Sequence, residues 1–299
     1  MRLCWMVVSL LAACNGGSDA ADDAGSDGAG GDAPTVSPVD ASADAFAFAI
    51  TVKDPDGQLT AAKDDLIACM TGALREWGSY VGGMGRLSIE LRVTGTGTGR
   101  LGGASTSNVS VGPCQHTASC TLVEEQAIHR LRTGADNPAM PGVPDVHVDI
   151  PPDYWNGQVW VDPDPVGRTA AVPSNRLDCV SLFTHELGHA LGMTGFRDLQ
   201  TFQPTVAFQS LYDDQIRVGS GTLTFEGPRT VAEFGAVPLT RTNSTQNVYH
   251  YADAATPSAF DRLLMNGIAY EYGHRYRVQK LDVRILEDLG VPIHAVPAD

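Results

Sequence analysis

Residues 185–195 read HELGHALGMTG, and no other run limits the fold of this chain as tightly. His185 and His189 stand four residues apart. On an α-helix that spacing sets both imidazoles on one face, one turn apart, where they can grip a single ion. Glu186 lies beside them, placed to take a proton from a water at that ion. With eight His and nine Glu among 299 residues, about 0.006 such arrangements are expected by accident, so a helix carrying two incidental histidines is the weaker reading. The approach to the motif suits a helix. Pro173, Ser174 and Asn175 offer a stop and a cap, and Leu177, Val180, Leu182, Phe183, Leu187, Ala190 and Leu191 form a broad apolar surface. Gly192 can take a positive φ and end the helix, turning the chain back beneath the ion.

HExxHxxG resembles the metzincin clan of zinc peptidases, whose third histidine ligand follows that glycine by three residues. Here the position holds Gly195. Two histidines make a weak site for a catalytic metal, so a ligand has to come from elsewhere. His116, His129 and His147 precede the motif; His250, His274 and His294 follow it. His250 lies in NVYHYADAATPSAFDRLLMNG, and fifteen residues later Met265, in LLMNG, resembles the Met-turn that underlies the metal in that clan. HELGHALG, then His250 sixty-one residues beyond His189, then Met265, is similar in order to the leishmanolysin-like branch, where a long insertion precedes the third histidine. The closing run RYRVQKLDVRILEDLGVPI resembles the C-terminal helix that follows the Met-turn. The resemblance spans roughly residues 175–292.

The resemblance implies an α+β fold of zincin type. An N-terminal lobe (45–192) would carry a twisted sheet and the zinc helix, and a smaller C-terminal lobe (193–299) the insertion, Met-turn and final helix. It implies Zn²⁺ on His185, His189 and His250, with Glu186 as catalytic base, hydrolysing peptide bonds of extracytoplasmic proteins or peptides. Tyr270 or Tyr272 would stabilise the oxyanion, as a tyrosine does in some metzincins. Other third ligands stay open: His274 first, then Asp198 and Glu233. So does a reading from another class, a surface-binding lipoprotein on a zincin scaffold that does not cleave. Glu186 argues against that, because a purely structural site has no need of the carboxylate.

The chain begins MRLCWMVVSLLAAC, a single Arg, a short apolar run and small residues before Cys14. Leu11-Ala12-Ala13-Cys14 resembles a bacterial lipobox, implying removal of residues 1–13 and lipidation of Cys14, hence an exported protein anchored at the bacterial cell envelope. The run is far below the ~20 apolar residues that cross a bilayer. Residues 15–44 hold seven Asp and no Lys or Arg, a composition that buries too little apolar area to offset chain entropy. They read as a flexible tether. Of the net charge of −15 these aspartates supply −7 and Arg2 supplies +1, leaving −9 on residues 45–299. An acidic domain disfavours nucleic acid and anionic membrane surfaces as partners.

Export also frames the cysteines. Cys69, Cys114, Cys120 and Cys179 remain after Cys4 and Cys14, an even number with three pairings. CQHTASC can close a local loop between Cys114 and Cys120, leaving Cys69 to staple the domain's first helix to Cys179, just ahead of the metal helix. Alternation and periodicity predict a strand over 45–52, a helix over 59–80, a strand over 86–95, a helix in TLVEEQAIHRLR (121–132), and strands in DVHVDI (145–150) and GTLTFEG (221–227). By the resemblance, 145–150 would run along the cleft and pair with substrate; an ordinary core strand is the alternative. DPDG (54–57) and VDPDP (161–165) are acidic turns, solvated or calcium-binding.

Overall fold

The computed structural model describes residues 46–94, 101–114, 120–198, 201–204, 207–219, 221–241, 248–252, 259–267 and 270–298. The leader, Cys14 and the tether lie outside them. The first element, β1 (Ala47–Lys53), alternates as its sequence requires, with Phe48, Ile50 and Val52 turned inward. Then come α1 (Lys63–Gly78), β2 (Arg86–Val93), β3 (Gly102–Ser105), β4 (Asn108–Pro113), β5 (Thr121–Glu125), α2 (Gln126–Thr133) and β6 (Val146–Ile150). The main sheet runs β1-β2-β6-β3, with β1, β2 and β6 parallel and β3 antiparallel to β6. Leu87, Ile89 and Leu91 of β2 join Val146, Val148 and Ile150 of β6 in one apolar face.

Two expectations change here. DVHVDI is an interior strand paired on both sides, and β3 takes the sheet edge. TLVEEQAIHRLR divides: Thr121–Glu125 is a strand between β4 and a later strand, and only Gln126–Thr133 is helical. Pairing with Val109 and Asn108 of β4 outweighs the helix preference of Glu124 and Glu125.

The chain continues through α3 (Pro152–Gln158), β7 (Val159–Trp160) and β8 (Leu177–Asp178) into α4 (Cys179–Ala190), the helix that carries the motif. Its cap is Asp178, whose side chain accepts from Ser181 N at 3.0 Å, rather than Ser174 or Asn175. Those residues lie ahead of β8, whose pairing with β7 delays the helix start. Every residue of α4 is buried, against α1 on one side and β3 and β6 on the other. Leu66, Met70 and Leu74 of α1 fill the core, and Trp77 donates from Nε1 to Thr184 O at 2.9 Å. Cys69 and Cys179 are disulfide-bonded between the two helices, and Cys114 and Cys120 are bonded locally.

An ionic knot sits where these helices meet the C-terminal run. Arg168, 3 % exposed, reaches Glu76 of α1, Asp178 at 2.7 Å, Ser181 Oγ at 2.9 Å and Tyr276 O at 2.8 Å. Arg275 pairs with Asp162 at 2.7 Å. The VDPDP aspartates are thus engaged in the protein's own contacts, with Asp162 Oδ1 also accepting from Asp164 N. In DPDG, Asp54 caps Gln58 and Leu59 N–H groups in the same way. A paired, hydrogen-bonded charge is what burial tolerates.

The remaining elements are β9 (Phe208–Ser210), α5 (Leu211–Asp214), β10 (Ile216–Val218), β11 (Leu223–Phe225), α6 (Pro228–Phe234), β12 (Val237–Pro238) and α7 (Lys280–Asp288). β9 extends the β4-β5 sheet, and β10-β11-β12 form an antiparallel sheet of their own. The final helix α7 opens on a capping box of Gln279 and Asp282, and its last residue, Asp288, accepts from the Arg229 and Thr230 N–H groups of α6.

Candidate metal centre

The face of α4 that meets the C-terminal half carries His185 and His189, 5 % and 2 % exposed. Gly192, at φ 120°, ends the helix by turning the chain back, which brings Met193 O to 2.8 Å from His189 Nδ1. His185 Nδ1 lies 2.8 Å from Leu264 O, the carbonyl just before Met265. A carbonyl only accepts, so each Nδ1 carries the ring proton and each Nε2 presents a lone pair. His250, 1 % exposed, completes the group. Its backbone is stitched in place by Thr240 N donating to His250 O at 2.9 Å and by Tyr251 N donating to Met265 O at 3.0 Å.

The three Nε2 atoms form a triangle with sides of 3.2 Å (His185–His189), 3.1 Å (His189–His250) and 2.9 Å (His185–His250). The Nε2 lone pairs of His185 and His189 repel at this distance, and a cation beside them removes the repulsion. Ligand nitrogens about 2.0–2.1 Å from a tetrahedral zinc stand about 3.3 Å apart, close to the observed sides. Burial, then the neighbouring His189, pushes His185 down to about 3, and burial pushes His189 down to about 4. Both rings are therefore neutral, the form in which imidazole binds metal. Among the described residues this is the group of three or more metal-capable side chains that can hold an ion.

Glu186 is 7 % exposed, and its Oε2 accepts from Gly103 N at 2.6 Å. Gly103 belongs to the edge strand β3, and a Cβ there would lie 2.5 Å from Glu186 Cβ, so only glycine lets strand and helix meet this closely. Burial raises the Glu186 carboxyl to about 8, against the lowering effect of that amide. Met265 is fully buried beneath the helix, its Sδ 2.6 Å from where a Cβ on Gly188 would stand. The glycine inside HELGH thus makes room for the turn.

Of the other sequence candidates, one borders the centre. Tyr270 stacks edge-on to His185 at 5.1 Å and donates to Leu264 O at 2.8 Å, the carbonyl that orients that histidine. Its hydroxyl thus shares the carbonyl that holds His185. Tyr272 is half exposed and donates to Gln158 Oε1, away from the centre. His274 packs on Tyr276 at 4.6 Å, Glu233 pairs with Lys280 and Arg284, and Asp198 accepts from Thr201 N at 2.6 Å. His129 pairs with Glu124, His294 Nε2 lies 3.1 Å from Gly78 O, His147 is on β6, and His116 lies outside the described residues. Gly103 and Leu264 O had no local sequence signal, because each acts through its backbone on a distant element. Compared with known proteins, the chain matches no family model, no curated protein and no solved structure.

Proposed function

We propose that the protein is a zinc-dependent endopeptidase, exported and anchored through Cys14, that cleaves extracytoplasmic proteins or peptides. The observation that carries this is the convergence of three buried imidazole Nε2 atoms beside a buried carboxyl that is not one of them. Three imidazole nitrogen donors suit zinc, and a tripod leaves a fourth position open. The order of HELGHALG, His250 and Met265, with Met265 packed under Gly188, supports a metzincin-like reading. Zinc bound there would polarise the scissile carbonyl and lower the pKa of a water to about 7. Glu186 supplies the proton chemistry: with Oε2 held by Gly103 N–H, Oε1 takes a proton from water and returns it to the leaving amine. Leu264 O and Met193 O hold the two helix histidines in the tautomer that points Nε2 inward. As the sheet edge, β3 suits an extended peptide laid alongside as a further strand.

The test is Glu186→Gln, assayed beside wild type for metal content and casein hydrolysis. The variant should keep its zinc and lose activity by roughly 10²–10⁴-fold. Wild-type cleavage by the variant defeats the mechanism. Zinc-loaded wild type without peptidase activity defeats the enzyme reading and favours a binding lipoprotein.

A further inference from the structure

Gly195 stands where the shorter metal-binding pattern would place its third histidine, and the structure gives a reason. A Cβ at this position would lie 2.3 Å from Asp213 Oδ1 and 2.5 Å from its Cγ. Gly195 is absent from the positive-φ residues, so glycine is required by space and not by backbone conformation. Asp213 is fully buried. It closes a capping box with Ser210, donating N–H to Ser210 Oγ at 2.9 Å and accepting from Ser210 N at 3.2 Å.

The same side chain holds the outgoing end of the excursion from 196 to 249: it accepts from Phe196 N at 2.8 Å, and the Arg197 guanidinium lies 3.6 Å from Oδ1. At the returning end its charge, after burial, helps to raise the Tyr249 hydroxyl well above its usual range. Arg197 N donates to that hydroxyl at 2.6 Å, joining the two ends directly. Tyr249 is the residue before His250. Bringing the ends of so long a loop together costs chain entropy, and ligand geometry tolerates errors of only about 0.5 Å.

We propose that Asp213 is a positioning residue for the third metal ligand: by clamping residues 196–197 to Tyr249 it delivers His250 to the helix histidines. The proposal rests on reading His185, His189 and His250 as a metal centre. Residues that orient a ligand in this way are typically worth 10–100-fold in metal affinity. In Asp213→Asn the charge facing the Arg197 guanidinium is lost and an amide NH₂ meets that cation in place of Oδ1, so the clamp weakens with little change in volume.

The experiment is a double-mutant cycle on the full chain, titrating Co²⁺ and Zn²⁺ into wild type, Asp213→Asn, His250→Ala and the double variant. Tyr249→Phe, which keeps the ring and deletes the linking hydroxyl, is carried in parallel should Asp213→Asn fold poorly. Asp213→Asn should weaken binding about 10–100-fold in the wild-type background. In the His250→Ala background, where only the helix pair binds, it should have no further effect. Tyr249→Phe should repeat the pattern at smaller amplitude. Equal losses in both backgrounds would show that Asp213 serves the fold alone, and wild-type affinity in both variants would also overturn the proposal. A wild-type protein that takes up neither metal removes the centre itself, and this inference with it.

Discussion

Glu125 is the cap residue of α2, yet its side chain makes no capping bond. It is 1 % exposed, and neither carboxylate oxygen has a hydrogen-bond partner among the described residues. Burial, with Asp213 and Glu124 adding to it, raises this carboxyl well above the usual range. The folded state therefore holds the proton more tightly than the unfolded chain. The stability this contributes is complete below the unfolded value and is lost as pH rises through the folded one. Glu125→Gln cannot ionise, so it should gain stability relative to wild type as pH rises from 5 to 8. Urea unfolding at both pH values measures this, and a constant difference would refute it. At this scale the sequence is legible only where chemistry is local. His185, Glu186 and His189 are readable because one helical turn fixes them. Gly195 against Asp213 and Gly103 against Glu186 are not, since each contact joins elements remote along the chain.

Helix α4 holds the site because α1 holds α4. The disulfide joins Cys69 and Cys179 across a sequence separation of 110, and Trp77 and Arg168 tie the same pair of helices. A cross-link over so long a loop mainly restricts the unfolded chain. Cys69→Ser with Cys179→Ser should cost about 2–5 kcal/mol in urea unfolding, and a loss well under 1 kcal/mol would mean that packing alone suffices. Elements with a strong internal period, β1, β2 and α1, are close to their sequence bounds, whereas α7 fills only Lys280–Asp288 of the closing run. The misread ones depended on neighbours. Glu124 and Glu125 suggest a helix until β4 pairs with them, and DVHVDI alternates equally well at an edge or inside a sheet.

For the molecule as a whole, the tripod joins the motif helix to the Met265 turn, so an ion there binds the native state and not the unfolded chain. At a hundred times its Kd such a ligand adds about 2.7 kcal/mol. In a domain of this size that corresponds to a rise in Tm of about 5–10 °C. Calorimetry with zinc and after removal of metal by chelator should show this shift, greatly reduced in His250→Ala. Identical melting in both conditions would mean that native protein takes no metal. The wider order of the sheets was not legible, because which strand lies beside which is decided by packing between segments far apart in sequence.

The unequal spacing of the three histidines also imposes a timetable. His185 and His189 are neighbours as soon as one turn of helix forms, an event of about a microsecond or less. His250 arrives only after the excursion that begins beyond the helix has closed at Asp213 and Tyr249. A refolding chain thus offers first a weak two-nitrogen half-site and later the full grip. Full-strength metal binding should accordingly be the last property to return, after secondary structure and after the bulk of the core.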